Sequence, residues 1–398
     1  MARWMRVVGG VVAALTGLGV GGFALAWWTA TPDIGAPLSG ERLERAQASP
    51  QWIGDRFGNP LPRVDGPAGE MMRRQFMTGD SVQEPVSELP VVQRSKADFA
   101  TLPESGLRVT WLGHSTLLIE QDGSRILVDP VWGERASPWT SFGPGRFYAP
   151  PLALEDLPPI DAILISHDHY DHLDLPTVLA LKDRPIQWLV PLGIGAHLEH
   201  WEVPPERITE LDWWQSTQVG AITATATPAR HFSGRWLDRM ETTLWVGWAL
   251  NGPEHDVFYS GDTSLFPELA DIGDKLGPFD LTFFDAGAYD ATWTDVHLGP
   301  EQTVVAHRMV QGNVLVPVHW GLFDLGNHGW TEPIERVRTA AARFDIDVRS
   351  PKPGASIELA DTDGSEVWWP TEPVHTLETD PAWSTSVDDV LDAWWGAR

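Results

Sequence analysis

The stretch LISHDHYDHLD, residues 164–174, places six imidazole and carboxylate side chains within eight positions, directly after the apolar run DAILIS. The six are His167, Asp168, His169, Asp171, His172 and Asp174. The preceding run is typical of a buried strand. Burying so many ionisable groups beside such a strand is costly unless a cation balances them. The stretch therefore indicates a metal site at the end of a strand.

Composition restricts the rest of the chain. With 398 residues and 42% apolar content, it can bury a core large enough for one big domain or two modest ones. The formal net charge of -27 repels phosphate backbones, so nucleic acid is not expected as a partner. The chain has no cysteine, which excludes disulfides and thiolate ligands. Any metal must therefore be bound by nitrogen and oxygen atoms.

The N-terminus has the features of a membrane anchor. Residues 7–28 carry no charge over 22 positions and follow Arg3 and Arg6, which favours an anchored protein with its catalytic domain outside the cytoplasm. The alternative is a cleaved signal peptide, since ALA at 24–26 resembles a processing site and would give a secreted protein. Residues 1–30 are accordingly interpreted as a transmembrane anchor or a signal peptide.

The remaining chain divides into three parts by pattern. Residues 31–105 are rich in Pro, Gly and charge and are interpreted as a linker and an N-terminal extension wrapped over the domain. Residues 106–370 form the expected catalytic domain, and residues 371–398 a C-terminal extension. Strand-like runs such as LRVTWLG and RILVDPVW alternate with helical candidates near 174–182, 193–200, 300–311 and 331–343. This mixture predicts an α/β domain with two sheets.

Three further candidate ligands fall at strand ends or in the loops that follow: His231 in TPARHFSGR, Asp262 in YSGDTSLF and His319 in VPVHWGLF. Imidazole and carboxylate groups at such positions suit zinc, because strands hold the ligands while loops leave an open coordination position. Seven candidates without a thiolate indicate two metals, bridged by a carboxylate and a hydroxide. Isolated histidines such as His197, His200 and His375 are expected to be packed or solvent-facing instead.

At these residues the sequence resembles a known group. The run His167-x-His169-x-Asp171-His172, followed by His231, Asp262 and His319, resembles the metal-binding signature of the metallo-β-lactamase fold. The segments WLGHSTLLIE, DPVW, RASP, GPGRF, LPPIDAILISHDHYDHLD, GDT, GAY and PVHWG resemble the N-acylphosphatidylethanolamine-hydrolysing phospholipase D family and its bacterial relatives. The resemblance covers about residues 106–325 and implies a four-layer αββα sandwich, here with an N-terminal apolar helix. One departure is Ser264-Leu265, where the family more often has Gly-Tyr.

The resemblance also implies roles for individual residues. One zinc would be bound by His167, His169 and His231, the other by Asp171, His172 and His319, and Asp262 would bridge them. His297 in TDVHLGPEQ would contact the phosphate or help to protonate the leaving group. Asp171, Asp262 and His297 are thus the predicted catalytic residues. His114 and Asp129 would orient the ligands, and Asp168 and Asp174 could do so too, although a solvated loop charge is at least as good an interpretation of Asp168.

The leading hypothesis is therefore a membrane-tethered phosphodiesterase with two Zn²⁺, or iron or manganese, that hydrolyses a membrane phospholipid by attack of a metal-bridging hydroxide. The products would be phosphatidate and an N-acylethanolamine-like alcohol. A hydrolase of lactone, β-lactam or thioester substrates is an alternative, because zinc-bound hydroxide also attacks carbonyl carbon. A second alternative is an inactive membrane-bound metal-binding or scaffolding protein. The oligomeric state stays open.

Overall fold

The computed structural model describes residues 30–64, 66–76, 81–359 and 364–396. The apolar segment 7–28, interpreted above as an anchor or a signal peptide, lies outside these residues. Within the described ranges, no helix has both the length and the apolar character needed to cross a membrane.

Both strand-like runs quoted above contain a strand, over residues 107–113 and over the RILV part of RILVDPVW, whereas the short strands at 52–53, 56–57, 208–211, 216–219, 347–348 and 356–358 were not predicted. In chain order the strands are β1 (Trp52–Ile53), β2 (Arg56–Phe57), β3 (Leu107–Gly113), β4 (Thr116–Gln121), β5 (Ser124–Val128), β6 (Ala162–Leu164), β7 (Gln187–Pro191), β8 (Ile208–Leu211), β9 (Ser216–Val219), β10 (Ile222–Thr227), β11 (Gly247–Asn251), β12 (Asp256–Tyr259), β13 (Phe279–Asp285), β14 (Gly312–Val318), β15 (Asp347–Val348) and β16 (Ser356–Glu358). The Asp122-Gly123 pair joins β4 to β5 with both residues at positive φ, as a tight hairpin turn requires.

Fourteen strands of the described chain form two mixed sheets of seven. The first has the order β16-β3-β4-β5-β6-β7-β8, and the second has the order β15-β14-β13-β12-β11-β10-β9. Each sheet has three antiparallel pairs on one side and three parallel pairs on the other. Parallel pairs need crossover connections, and helices supply several of them.

The helices are α1 (Gly40–Gln47), α2 (Ala68–Phe76), α3 (Leu175–Leu181), α4 (Ile194–His200), α5 (Leu269–Leu276), α6 (Pro300–Met309), α7 (Glu332–Ala342) and α8 (Asp388–Trp394). Four of these, α3, α4, α6 and α7, lie where the sequence predicts them. Pro at the first or second position starts α3, α6 and α7, where its missing N–H costs nothing. Asp174 caps α3 by accepting a hydrogen bond from the Thr177 amide.

Successive side chains of a strand point to opposite faces of its sheet, and this alternation shows which layer packs on each face. In β4, Leu117 and Ile119 face the second sheet and share a core with Trp248, whereas Leu118 faces the opposite way and packs with Val178 of α3. Helices α3 and α4 cover the outer face of the first sheet, and α6 and α7 cover that of the second. The described layers are therefore helix, sheet, sheet, helix.

The segment before the domain packs against it. Helix α1 is tied to the first sheet through Arg42 and Arg45, which pair with the buried Glu210 carboxylate. Further along, Gly66 donates its amide to the Thr292 carbonyl, so the extension crosses to the second sheet. The domain boundaries given above stay predictions, but these contacts show that helix α1 and Gly66 are held on the sandwich.

Candidate metal centre and active site

The strand ends bring three overlapping groups of donor atoms together at one edge of the two sheets. Within each group the donor atoms lie within 4.8 Å of one another, and the groups are His167, His169, His231 and Asp262; His114, Asp171, His172 and His319; and Asp262, Asp285, His297 and His319. All seven side chains expected to bind metal are therefore gathered in one place. His297 and His114, which were expected beside the metals, are there too.

In the first group, the imidazole nitrogen atoms lie close enough together to bind one metal ion. Nε2 of His167 lies 2.8 Å from Nδ1 of His169, and Nε2 of His231 lies 3.4 Å from the same atom. Burial lowers the pKa of His167, and neighbouring imidazoles lower it further, to well below its usual range. Burial likewise lowers the pKa of His231. Neutral imidazoles with converging nitrogen atoms are what a divalent cation needs.

The second group is held around the Asp171 carboxylate. Its Oδ2 atom lies 3.2 Å from Nε2 of His319 and 3.4 Å from Nε2 of His172. The same oxygen is 2.9 Å from Nε2 of His114. His114 therefore reaches the carboxylate directly, which agrees with a role in orienting Asp171.

Asp262 joins the two groups. Its Oδ2 atom lies 3.6 Å from Nε2 of His167 on one side and 3.1 Å from Nε2 of His319 on the other. The preceding Gly261 has φ of +59°, and a Cβ atom there would lie 2.5 Å from the Val246 carbonyl oxygen. Only glycine satisfies both constraints, so the turn that presents Asp262 depends on it.

The donor atoms fit bound cations. Oδ1 of Asp262 and Nε2 of His172 are buried and make no hydrogen bond in the structure. Burial alone would lower the pKa of His319, but the carboxylates of Asp262 and Asp285 raise it to about 10. Burial likewise opposes the protonation of His172, yet Asp262 and Asp171 raise its pKa well above its usual value. Protons on His172 and His319 thus balance the negative charge of the buried carboxylates. Divalent cations would balance this charge in place of the protons.

A layer of hydrogen bonds behind the ligands fixes their rings. Asp129 accepts at 2.7 Å from Nδ1 of His172, and the Tyr259 hydroxyl and the Ser166 amide and hydroxyl donate to the same carboxylate. Nδ1 of His231 lies 2.8 Å from the Val296 carbonyl oxygen, to which it can donate. Asp129 thus makes the contact with His172 that the role implied by the resemblance would need, and the Tyr259 hydroxyl is an additional partner of this carboxylate that the sequence did not reveal.

His297 is paired with a carboxylate that sequence reasoning missed. Its Nδ1 atom lies 2.7 Å from Oδ2 of Asp285, and its ring centre lies 5.0 Å from that of His319. Burial raises the pKa of Asp285, and the nearby His297 opposes this shift. Asp285 ends the apolar run LTFFD, and the same signal of a carboxylate at a strand end could have identified it.

Two of the remaining acidic residues have structural roles. Asp168 is buried, accepts a hydrogen bond from the Gly234 amide, and lies 3.4 Å from Nε2 of His197. Its interpretation as a solvated loop charge is therefore wrong, because neighbouring loops enclose it. Asp174 accepts from the amides of Trp132 and Gly133 as well as capping α3, which links the metal loop to the DPVW segment.

A cavity of about 390 Å³ opens above the donor atoms. His169, Asp171, Asp262, His297 and His319 contribute to its floor. Its walls are mostly apolar, and its remaining lining residues are Arg63, Met71, Phe232, Met240, Ala288, Trp293, Val296 and Leu325. Among the described residues that line the cavity, Arg63 is the basic side chain apart from the histidines. Its guanidinium lies 4.9 Å from the Phe232 ring centre.

The N-terminal extension helps to build this cavity. Asn59 donates to the His231 carbonyl oxygen at 2.7 Å and accepts from the His231 amide. The Val64 amide donates to the buried carboxylate of Asp295, close in sequence to His297. These contacts flank Arg63 and place it at the cavity, which Met71 of the same extension also lines. The interpretation of this region as a linker and a wrapped extension did not anticipate either residue.

Comparisons with known proteins show which family matches the part of the chain that holds the candidate metal site. The family model described as "Beta-lactamase superfamily domain" matches residues 124–320, which include all seven candidate ligands. An uncharacterized protein of Mycobacterium tuberculosis (strain ATCC 25618 / H37Rv) is 41% identical over 368 residues, which are 90% of this chain and 98% of that protein. N-acyl-phosphatidylethanolamine-hydrolyzing phospholipase D 1 of Caenorhabditis elegans is 38% identical over 275 residues, 65% of this chain and 76% of that protein.

The fold is similar to that of a solved structure described as a possible metal-dependent hydrolase from Veillonella parvula. That structure has a TM-score of 0.51 and 14% identity, and the match covers 63% of this chain and 98% of the other. The chain therefore belongs to the β-lactamase superfamily of metal-dependent hydrolases, and it resembles the N-acylphosphatidylethanolamine-hydrolysing phospholipase D group within it.

Proposed function

We propose that this protein is a zinc-dependent phosphodiesterase of the phospholipase D type that acts on N-acylphosphatidylethanolamine-like phospholipids. The observation that carries the proposal is the cavity, in which two ligand sets joined by the Asp262 carboxylate lie beneath apolar walls with Arg63 nearby. A lipid phosphodiester combines an anionic phosphorus centre with apolar chains, and the cavity offers a partner to each part.

Two divalent cations bound to the two ligand sets would lower the pKa of a water molecule and stabilise the charge that develops on the phosphate oxygens. His297 lines the cavity, and its Nδ1 atom is occupied by Asp285, which leaves Nε2 for the substrate. We assign His297 to the leaving-group side, where it delivers a proton as the bond between phosphorus and the alcohol oxygen breaks. Water supplies the oxygen that remains on phosphatidate, so the products are phosphatidate and an N-acylethanolamine.

The walls of the cavity would position the substrate. Arg63 can pair with a phosphate oxygen, since its guanidinium presents a planar set of donors. Phe232, Met240 and Trp293 supply apolar contacts beside it. The Caenorhabditis elegans relative carries the name of this activity, which supports the choice of substrate class.

We also propose that residues 7–28 tether the enzyme to a membrane, with the catalytic domain outside the cytoplasm. The uncharged run and the preceding arginines support this. Full-length protein should sediment with membranes and resist extraction by alkaline carbonate. A mature chain that begins near Trp27 would instead show that the segment is a cleaved signal peptide.

A substrate panel tests the proposed activity. Zinc-reconstituted protein would be assayed with N-acylphosphatidylethanolamine, phosphatidylcholine, bis(4-nitrophenyl) phosphate, a lactone, a β-lactam and a thioester. The proposal predicts turnover of the phosphodiesters, with phosphatidate detected by mass spectrometry. Turnover confined to the carbonyl substrates would favour the alternative hydrolase, and no turnover by fully loaded protein would favour a metal-binding protein without activity.

A further inference from the structure

Two loops form an exposed apolar projection, here called the apolar tip and defined as Trp139, Phe142, Trp236 and Leu237. Phe142 is 71% exposed and Leu237 is 87% exposed. The Trp139 ring joins the loops, since its centre lies 6.0 Å from that of Phe142 and 6.1 Å from that of Trp236. Trp139 and Trp236 are themselves half-buried, so the exposed part of the tip is formed mainly by Phe142 and Leu237. Large apolar side chains exposed in this way are typical of a surface that binds another apolar phase.

The apolar tip lies beside the cavity. The loop that carries Trp236 and Leu237 also carries Phe232 and Met240, which line the cavity wall. Gly234 packs against Met240, so the loop folds back on itself between these two residues. Half of the tip and part of the cavity wall therefore belong to one short segment of chain, residues 232–240.

The loop that carries Trp236 and Leu237 also binds residues near the start of the described chain. Nε of Arg235 donates to the Asp33 carbonyl oxygen at 2.6 Å, and Arg239 donates to the Gly35 carbonyl oxygen at 2.7 Å. Ala30, at the beginning of the described residues, is buried. The uncharged run 7–28 ends two positions before it. A membrane anchor formed by that run would therefore join the domain beside the apolar tip.

We propose that the apolar tip inserts into the interfacial region of a zwitterionic phospholipid bilayer and turns the cavity toward the membrane. Tryptophan, phenylalanine and leucine are side chains that partition into this region. The net charge of -27 disfavours a strongly anionic surface, which is why a zwitterionic bilayer is the partner. The purpose of this docking rests on the proposed lipid substrate, but the docking itself requires no catalysis.

The absence of cysteine makes a direct test possible. Single-cysteine variants Leu237→Cys and Phe142→Cys of the full chain would be labelled with an environment-sensitive nitrobenzoxadiazole dye and reconstituted with phosphatidylcholine vesicles. Leu102→Cys is the matched control, because Leu102 is also exposed, at 41%, but lies before the start of β3. The site begins at the other end of this strand, where β3 leads to His114. Unchanged thermal unfolding midpoints would verify that all three variants fold.

The proposal predicts a several-fold rise in dye emission at positions 237 and 142, with quenching by nitroxide-labelled lipids, and neither effect at position 102. Equal responses at all three positions would overturn the proposal. So would dye emission at positions 237 and 142 that does not change with vesicles but rises when a protein partner covers the tip. The readout is independent of turnover. A bilayer-inserted tip on a protein that fails to cleave phospholipid would refute the proposed function alone.

Discussion

The floor of the cavity is formed by histidines and aspartates at strand ends, whereas its rim is formed by loops and by the N-terminal extension. On the floor His297 is held by Asp285, and beneath it the candidate ligand His172 is held by Asp129. On the rim, Arg63 and Phe232 make looser contacts, and Arg63 keeps part of its side chain exposed. Rigid strands fix the reactive groups, and variable loops determine which substrate reaches them. Substitutions on the floor should therefore affect every substrate, and those on the rim should affect the lipid most.

The largest effect is expected at Asp262. Asp262→Asn removes the charge shared by the two ligand sets, and an amide is a poorer ligand, so metal content and turnover should fall together, with the rate lower by at least several hundredfold. Elemental analysis and initial rates would measure both. Asp271→Asn, at an exposed position on α5, is the matched control and should change neither. Retention of both metals and of most activity would show that Asp262 is no bridge.

His297→Ala should lower kcat by roughly a hundredfold or more while both metals stay bound, because the ligand set remains whole. The loss should be large on phospholipid and much smaller on bis(4-nitrophenyl) phosphate, whose leaving group needs little protonation. His200→Ala, at an exposed position, is the control. Equal losses on both substrates would assign His297 to phosphate positioning, and loss of metal would show that the assigned role is wrong.

Asp285→Asn should produce a milder version of the His297 defect, since it weakens the contact that holds the ring. We expect kcat on phospholipid to fall by about tenfold and the activated ester to be less affected. A defect equal on both substrates and accompanied by metal loss would indicate that Asp285 acts on His319, whose Nδ1 atom lies 3.5 Å from it, and not on His297.

Metal binding should release protons. In the metal-free protein the pKa of His319 is raised to about 10 and that of His172 lies well above its usual value, so both rings are protonated near neutral pH. Metal ligation needs their free nitrogen atoms, so loading both sites at pH 7.5 should release roughly two protons from these rings, with up to about one more from ionisation of a metal-bound water, and affinity should rise with pH. A pH-stat titration with zinc sulphate measures this release. Binding without proton release would contradict the charge balance assigned to the floor.

The smallest effect is expected on the rim. Arg63→Gln should raise the KM for phospholipid by about fivefold to tenfold, because one charge-assisted contact is lost, and should leave metal content unchanged. Arg56→Gln is a matched control, since Arg56 also lies near Glu241, at 3.9 Å compared with 3.8 Å for Arg63, but does not line the cavity. An equal change in both variants would place the effect on Glu241 and not on the substrate.

The same contrast explains what the sequence could predict. The residues of the floor follow short local patterns, such as an apolar strand followed by HDHYDH. These patterns predicted an α/β domain with two sheets and seven candidate ligands, which the structure gathers in one place. The four-layer arrangement and the orienting roles of Asp129 and His114 came from the family resemblance instead. The rim depends on long-range contacts. Asn59 meets His231 across 172 residues, and neither residue carries a local signal of the other. Arg63 and Met71 were therefore not identified, and the burial of Asp168 by the 234–235 loop was missed for the same reason.

Metal content per chain tests the central claim most directly. Full-length protein, reconstituted with excess zinc and freed of loosely bound ions, would be analysed by inductively coupled plasma mass spectrometry against a quantitative amino-acid analysis. Two ligand sets joined by Asp262 predict two equivalents of metal per chain. Fewer than one equivalent after careful reconstitution would contradict the account.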